Sequence, residues 1–342
     1  MTGADEFTII RDLMAPLAHH PGARRLADDG AILAASSGME LAVTKDMMIE
    51  GVHFLADDPA ELVARKLLRT NLSDLAAMGA QPCAYLLGFA SDGRRERTWL
   101  EDFAGGLAHD QEVYGISLLG GDTVAAEGGL LTLSITAFGE VPAGISCARE
   151  RAREGDVVAV TGTIGDAALG LLVSTGALRG LGNAVETRLV SRYRLPQPRV
   201  SSGVALRGVV HGAIDISDGL LADASHLATA SGVAMELAVE AIPYSEAATQ
   251  AIRRDPALRD RALSGGDDYE LLVTLAPGDV PRARSIARRC GTPLTAIGRC
   301  RKGSGVTLLD VQGSPVGIVD AGWRHSVLAA GPFDNGPLKS RA

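Results

Sequence analysis

One segment limits the architectures open to this 342-residue chain more than any other. Residues 59–78 carry helix punctuation, with Asp58 as N-cap, Pro59 in the first turn, Glu61 three residues after the cap and Gly79 just past the end. On that helix Lys66, Thr70 and Asp74 form one stripe at four-residue spacing. Leu62, Leu67, Leu68, Leu72, Leu75 and Ala76 occupy much of the remaining circumference. A helix apolar on most sides is largely buried, so other layers must cover it. A carboxylate in its interior then needs a partner. Lys66, two turns earlier, is one candidate for Asp74, and a metal ion is another.

The surrounding sequence supplies strands. Residues 41–44 read as a short buried strand ending in Lys45-Asp46. A second helical pattern over 99–114 closes at Gly115, residues 116–119 run as a strand into Gly120-Gly121-Asp122, and 130–138 alternate as another. Regular patterning lapses between Pro142 and Glu154. The second half then repeats strand, acidic turn and helix: 156–161 is a strand, 211–216 runs into Ser217-Asp218-Gly219, and an alanine-rich helix ends near Gly232. A late strand, 269–275, follows just after Gly265-Gly266-Asp267-Asp268. The expected organisation is an N-terminal domain over 1–145, a C-terminal α+β domain over 146–330 and a loosely ordered tail over 331–342.

A net charge of -8 argues against nucleic acid as a partner, because phosphate backbones recruit basic surfaces. No apolar run approaches the ~18 residues of a membrane span. The acidic N-terminus lacks the basic and apolar regions of a signal peptide, and the four cysteines show no paired spacing. The expected location is the cytoplasm, with reduced thiols.

Aspartates recur at strand ends and in tight turns: Asp28-Asp29, Asp46, Asp122, Asp215, Asp218 and Asp267-Asp268, with Asp74 inside the buried helix. Singly, each reads equally as a turn former or cap. Together they point elsewhere, since strand ends in layered α/β folds converge on a crevice where several carboxylates repel unless divalent cations intervene. Oxygen ligands without His or Cys select Mg²⁺ or Ca²⁺, and Mg²⁺ so held completes its shell with phosphate oxygens and water. The chain has no GxxxxGK[ST] loop, no protein-kinase HRD or DFG set, and no GxGxxG after a strand.

Thr44-Lys45-Asp46-Met47-Met48-Ile49-Glu50-Gly51-Val52-His53-Phe54, followed by Asn71-Leu72-Ser73-Asp74-Leu75-Ala76-Ala77-Met78-Gly79-Ala80, resembles the start of the thiamine-monophosphate kinase family. The resemblance continues through Gly120-Gly121-Asp122-Thr123, Asp215-Ile216-Ser217-Asp218-Gly219-Leu220 and Gly265-Gly266-Asp267-Asp268-Tyr269-Glu270-Leu271, in the family's order along nearly the whole chain. It implies an α+β, two-domain fold like that of aminoimidazole ribonucleotide synthetase, with an N-terminal mixed sheet that pairs in a homodimer and a C-terminal α/β sandwich. It also implies ATP-dependent phosphorylation of thiamine monophosphate, with several Mg²⁺ ions and no covalent nucleophile. By the same resemblance Asp29, Thr44, Asp46, Asp74, Asp122, Asp215 and Asp218 look like metal ligands. Tyr114, Gly121, Asp122, Arg149 and Ser217 look like ATP contacts, and His53, Asp267 and Trp323 like contacts to the acceptor.

Three positions depart from the family pattern: Ala27 replaces Gly before Asp28-Asp29, Lys45 replaces Thr, and Asp267 replaces Glu. An ammonium at Lys45 beside Asp46 would offset negative charge and lower the need for Mg²⁺; the alternative is a lysine that points to solvent. Two other classes stay open, an amide-activating ligase of the same superfamily and a non-enzymatic nucleotide sensor.

Overall fold

The computed structural model describes residues 6–91, 93–126 and 128–317. They fall into two units, one running to Cys147 and including Pro198–Gly208, the other comprising Ala148–Gln197 and the chain from Val209 onward. The change of unit falls inside the patternless stretch 142–154, but contiguous halves do not describe it, because the chain returns to the first unit over 198–208.

The first unit opens with a short helix α1 (Glu6–Ile9) and continues through β1 (Met39–Ile49), α2 (Ala60–Ala77), β2 (Gln81–Ser91), α3 (Arg97–Tyr114), β3 (Ser117–Ala125) and β4 (Thr132–Pro142). Its sheet has the order β1-β4-β2-β3, with β2 and β3 parallel and the other pairs antiparallel. Period-2 burial runs through β4, where Leu133, Ile135 and Ala137 are fully buried and the residues between them are not. The buried face meets α2, whose Leu67, Leu68, Leu72 and Leu75 have no exposed surface. The helix is buried as its pattern requires, but Pro59 occupies the N-cap without a side-chain cap, and the Asp58 carboxylate instead accepts the Leu55 N–H at 2.8 Å. Proline at the cap supplies no acceptor oxygen, so the expected capping box does not form.

Inside this apolar layer sits a buried carboxylate, Asp110, which two arginines of α2 reach, Arg65 through Nε at 3.1 Å and Arg69. Arg69 on α2 donates through Nε (2.6 Å) and a terminal nitrogen (3.0 Å) to the two oxygens of Asp110 on α3, both residues being buried. Bidentate geometry satisfies both carboxylate oxygens, which makes the burial tolerable.

The second unit runs β5 (Val157–Thr161), α4 (Asp166–Ser174) and α5 (Asn183–Arg194), passes through α6 (Val200–Leu206) of the first unit, and returns as β6 (Ala213–Asp215) and α7 (Leu220–Ser231). It continues with β7 (Ala234–Ala238), α8 (Glu246–Arg254), α9 (Leu258–Ser264), β8 (Leu271–Leu275), α10 (Val280–Arg289), β9 (Leu294–Arg301), β10 (Gly305–Leu309) and β11 (Pro315–Val316). The sheet order is β11-β10-β7-β9-β5-β8-β6. Its core joins Val158 and Val160 of β5, Leu220, Leu227 and Ala228 of α7, and Leu272 of β8. No helix among the described residues is long and apolar enough to cross a membrane.

Candidate active site

The first unit gathers three of the expected ligands. Thr44 and Asp46 lie on the face of β1 turned toward α2, because their partners across the sheet are the buried Ala137 and Ile135. The Thr44 hydroxyl donates to an oxygen of Asp74, and the Asp46 backbone N–H donates to the side-chain carbonyl of Asn71, one turn before Asp74, at 3.2 Å. A hydroxyl and two carboxylates on one face form the all-oxygen donor set that suits Mg²⁺.

Strand alternation decides the orientation of Lys45. It pairs with Thr136, shares the uncovered face with Val43 and Met47, and is exposed. The ammonium therefore points away from the Asp46 carboxylate, and the idea that it substitutes there for a cation fails for want of a common face. Asp122 also belongs to the uncovered face, in register with Gly88, Ser134 and Met47. Gly121 beside it is required by close approach, since a Cβ there would stand 2.1 Å from the Leu87 carbonyl oxygen. Asp29 is exposed in the loop before β1 and is not gathered with Thr44 and Asp74 by these elements.

His53 accepts the Ile49 N–H through Nδ1 at 3.0 Å, which leaves the proton of the neutral ring on Nε2. The buried Lys66 donates to the His53 carbonyl at 3.0 Å. Tyr114 ends α3 with the Arg69 guanidinium 5.4 Å from its ring centroid. Burial raises its hydroxyl above the usual tyrosine range, against the pull of Arg69, so it stays a neutral donor.

In the second unit β6 ends at the buried Asp215, and the turn Ser217-Asp218 follows. Asp223, in the first turn of α7, accepts the N–H groups of both Ser217 and Asp218 at 3.0 Å each. Ligand atoms of Asp218, Asp223 and His226 all lie within 4.8 Å of one another. Burial, then the neighbouring Asp218 charge, pushes the Asp223 carboxyl up to about 7. Arg149 sits in a short 3₁₀ turn whose carbonyl accepts the Ser231 hydroxyl at 2.6 Å.

The acidic run 267–270 alternates in function. Asp267 and Tyr269 both adopt left-handed backbone, at φ 73° and 50°, and the Tyr269 hydroxyl donates to Asp267 at 3.2 Å. Between and after them, Asp268 and Glu270 are fully buried. Asp268 accepts the N–H groups of Gly165 (2.6 Å) and Ala167 (3.3 Å), capping α4 from about a hundred residues away. Burial nevertheless pushes its carboxyl up to about 8. Glu270 accepts from Arg192 at 3.1 Å and from the Thr161 hydroxyl at 2.7 Å, and Arg192 also donates to the Asp268 carbonyl at 3.2 Å. Asp267 suits its turn, since Asp tolerates left-handed backbone better than most other residues besides glycine. Trp323 lies outside the described residues.

The chain matches two family models in succession: "AIR synthase related protein, N-terminal domain" over residues 27–141, and the corresponding C-terminal domain over 153–311. Its class is therefore the two-domain, α+β aminoimidazole ribonucleotide synthetase-related fold. It is 41% identical over 324 residues to the thiamine-monophosphate kinase of Caulobacter vibrioides, covering 94% of this chain and 90% of the relative. Among solved structures it resembles the thiamine-monophosphate kinase of Stenotrophomonas maltophilia, at 40% identity and TM-score 0.77, covering 85% of this chain and 91% of that one. AaThiL complexed with AMPPCP and TMP aligns at 30% identity and TM-score 0.76, covering 94% and 97%. The chain belongs to the thiamine-monophosphate kinase family.

Proposed function

We propose that this chain transfers the γ-phosphoryl group of ATP directly to the phosphate of thiamine monophosphate, giving thiamine diphosphate and ADP. The observation that carries the reading is the oxygen-only set of Thr44, Asp46 and Asp74 in a member of this family. An acceptor phosphate oxygen attacks the γ-phosphorus in line, the bond from that phosphorus to the β–γ bridging oxygen breaks, and its electron pair leaves on ADP. The acceptor is already anionic, so no protein base or covalent nucleophile is required. Mg²⁺ bound by the aspartates would supply neutralisation of the phosphate charge.

In this reading Thr44, Asp46, Asp74, Asp122, Asp215, Asp218 and the exposed Asp29 serve the metal ions. Tyr114, Gly121, Asp122, Arg149 and Ser217 bind ATP, while His53, through its Nε2 proton, Asp267 and Trp323 bind the acceptor. AMPPCP and TMP bound to AaThiL support the pairing of a nucleotide with the acceptor. We assign the reaction to the cytoplasm, whose reducing conditions suit a chain in which Cys83, Cys147, Cys290 and Cys300 form no disulfide. Incubating the protein with ATP, Mg²⁺ and thiamine monophosphate should yield ADP and thiamine diphosphate one for one, and EDTA should stop it. Nucleotide binding without turnover would leave the sensor reading, and ADP formed without thiamine diphosphate the ligase reading.

We also propose a homodimer through the uncovered face of the first sheet, where Val43, Met47 and Val124 are 59%, 51% and 49% exposed. Covering such side chains stabilises by roughly 25 cal/mol per Å² of apolar surface. Met47→Glu would put a carboxylate into that contact. Light scattering should then show a dimer for the parent and a monomer for the variant at micromolar concentration; a monomeric parent would refute the dimer.

A further inference from the structure

We propose that Asp223 is a positioning residue that fixes both the nucleotide-side and the acceptor-side turns of the second unit, an inference that rests on the kinase reading above. Its carboxylate is 2% exposed, and one oxygen accepts the N–H groups of Ser217 and Asp218, both at 3.0 Å. Two hydrogen bonds onto successive amides fix the plane of the peptide that joins them, and so the directions in which the Ser217 and Asp218 side chains leave it.

The constraint then passes onward. The Ser217 carbonyl accepts the Asp267 N–H at 2.9 Å, and the Ile216 carbonyl accepts the Tyr269 N–H at 2.8 Å. Gly266 packs so closely that a Cβ would lie 2.1 Å from the Ser217 carbonyl oxygen. The 217–218 turn and the strained 267–269 turn are thus one hydrogen-bonded body, and Asp223 holds it from beneath. Nothing in the Ser-Asp-Gly motif signals this, because the residue responsible lies five positions further on, inside α7.

The role demands an acceptor oxygen at a fixed distance and is indifferent to net charge, so two variants separate geometry from charge. Asp223→Asn keeps the oxygen and loses the charge; Asp223→Glu keeps the charge and displaces the oxygen by one methylene. Made in the full chain, Asp223→Glu should raise the KM of both MgATP and thiamine monophosphate by about tenfold or more, the scale of one buried donor left without its acceptor. Asp223→Asn should stay within about threefold of the parent. Amide hydrogen exchange at Ser217, Asp218 and Asp267 should quicken in the Glu variant and hold in the Asn variant, and it reads the same linkage without any turnover. If Asp223→Glu does not fold, Asp223→Ala takes its place with the same expectations.

Asparagine as damaging as glutamate would overturn the proposal in favour of a direct charge role. So would unchanged exchange and KM values in the Glu variant, or exchange that quickens at Ser217 and Asp218 alone. A parent protein that makes no thiamine diphosphate would refute the kinase reading instead, and the exchange comparison would still decide the role of Asp223.

Discussion

Replacing Asp74 with asparagine should lower kcat/KM by about 10²–10³ while leaving the fold intact, the size of effect seen when one group that stabilises developing charge is removed. The fold should survive because α2 is held by leucines with no exposed surface and because asparagine offers the Thr44 hydroxyl the same oxygen acceptor. What disappears is the anionic oxygen. Two of the three donors on that face of β1 and α2 are carboxylates, so the change removes half of the negative charge available there to a cation. Activity should recover partly as free Mg²⁺ is raised, since a weakened cation site is filled by mass action. Circular dichroism should superimpose on that of the parent. Retention of near-parental kcat/KM at low Mg²⁺ would remove Asp74 from the metal-binding set. Lys45→Thr, by contrast, should leave the Mg²⁺ dependence unchanged, because the ammonium points from the opposite face of β1.

That contrast shows how far the sequence could be read. The buried helix and the two units were legible because apolar periodicity reports burial directly. The family motifs marked the aspartates because their order along the chain is distinctive. The sequence leaves Lys45 open between the Asp46 side and solvent, because a strand ending at Thr44 leaves the next residues free to turn; β1 continues to Ile49, and period-2 alternation separates Lys45 from Asp46. Asp122 follows the same rule on a strand longer than its pattern implied.

Other residues carried no local signal at all. Arg69 and Asp110 meet across two helices, and Asp268 caps a helix distant in sequence. Asp223 reads as an ordinary first-turn acid of α7 until the turn beneath it is seen. Pairings over such separations depend on tertiary packing that no window of residues encodes. The run Asp267-Asp268-Tyr269-Glu270 illustrates the point most sharply, because it looks like a uniform acidic turn. It is in fact one outward carboxylate held in place by two inward ones.

Those inward carboxylates make Arg192 the position of largest expected structural effect. Arg192→Met should destabilise the second unit by about 3–5 kcal/mol, the usual consequence of removing one partner of a buried ion pair. The residue is 4% exposed, and no motif marks it within α5. Its loss takes the Arg192 guanidinium from Glu270, a residue at zero exposure, and a donor from the Asp268 carbonyl. Methionine fills the volume but can donate nothing. For a unit of this size the change corresponds to a fall of roughly 10 °C in melting temperature, readable by calorimetry. The double variant Arg192→Met with Glu270→Gln should regain part of the loss, because an uncharged amide is far cheaper to bury than a carboxylate that has lost its guanidinium. The two left-handed residues add to the case, since backbone strain of about 1–3 kcal/mol per position persists only while the surroundings enforce it. Freed of Arg192, the 267–269 turn should relax before the unit melts, so acceptor affinity should fall at temperatures where circular dichroism is still native. Binding that stayed parental up to the melting transition would mean that Arg192 stabilises the unit without shaping the turn.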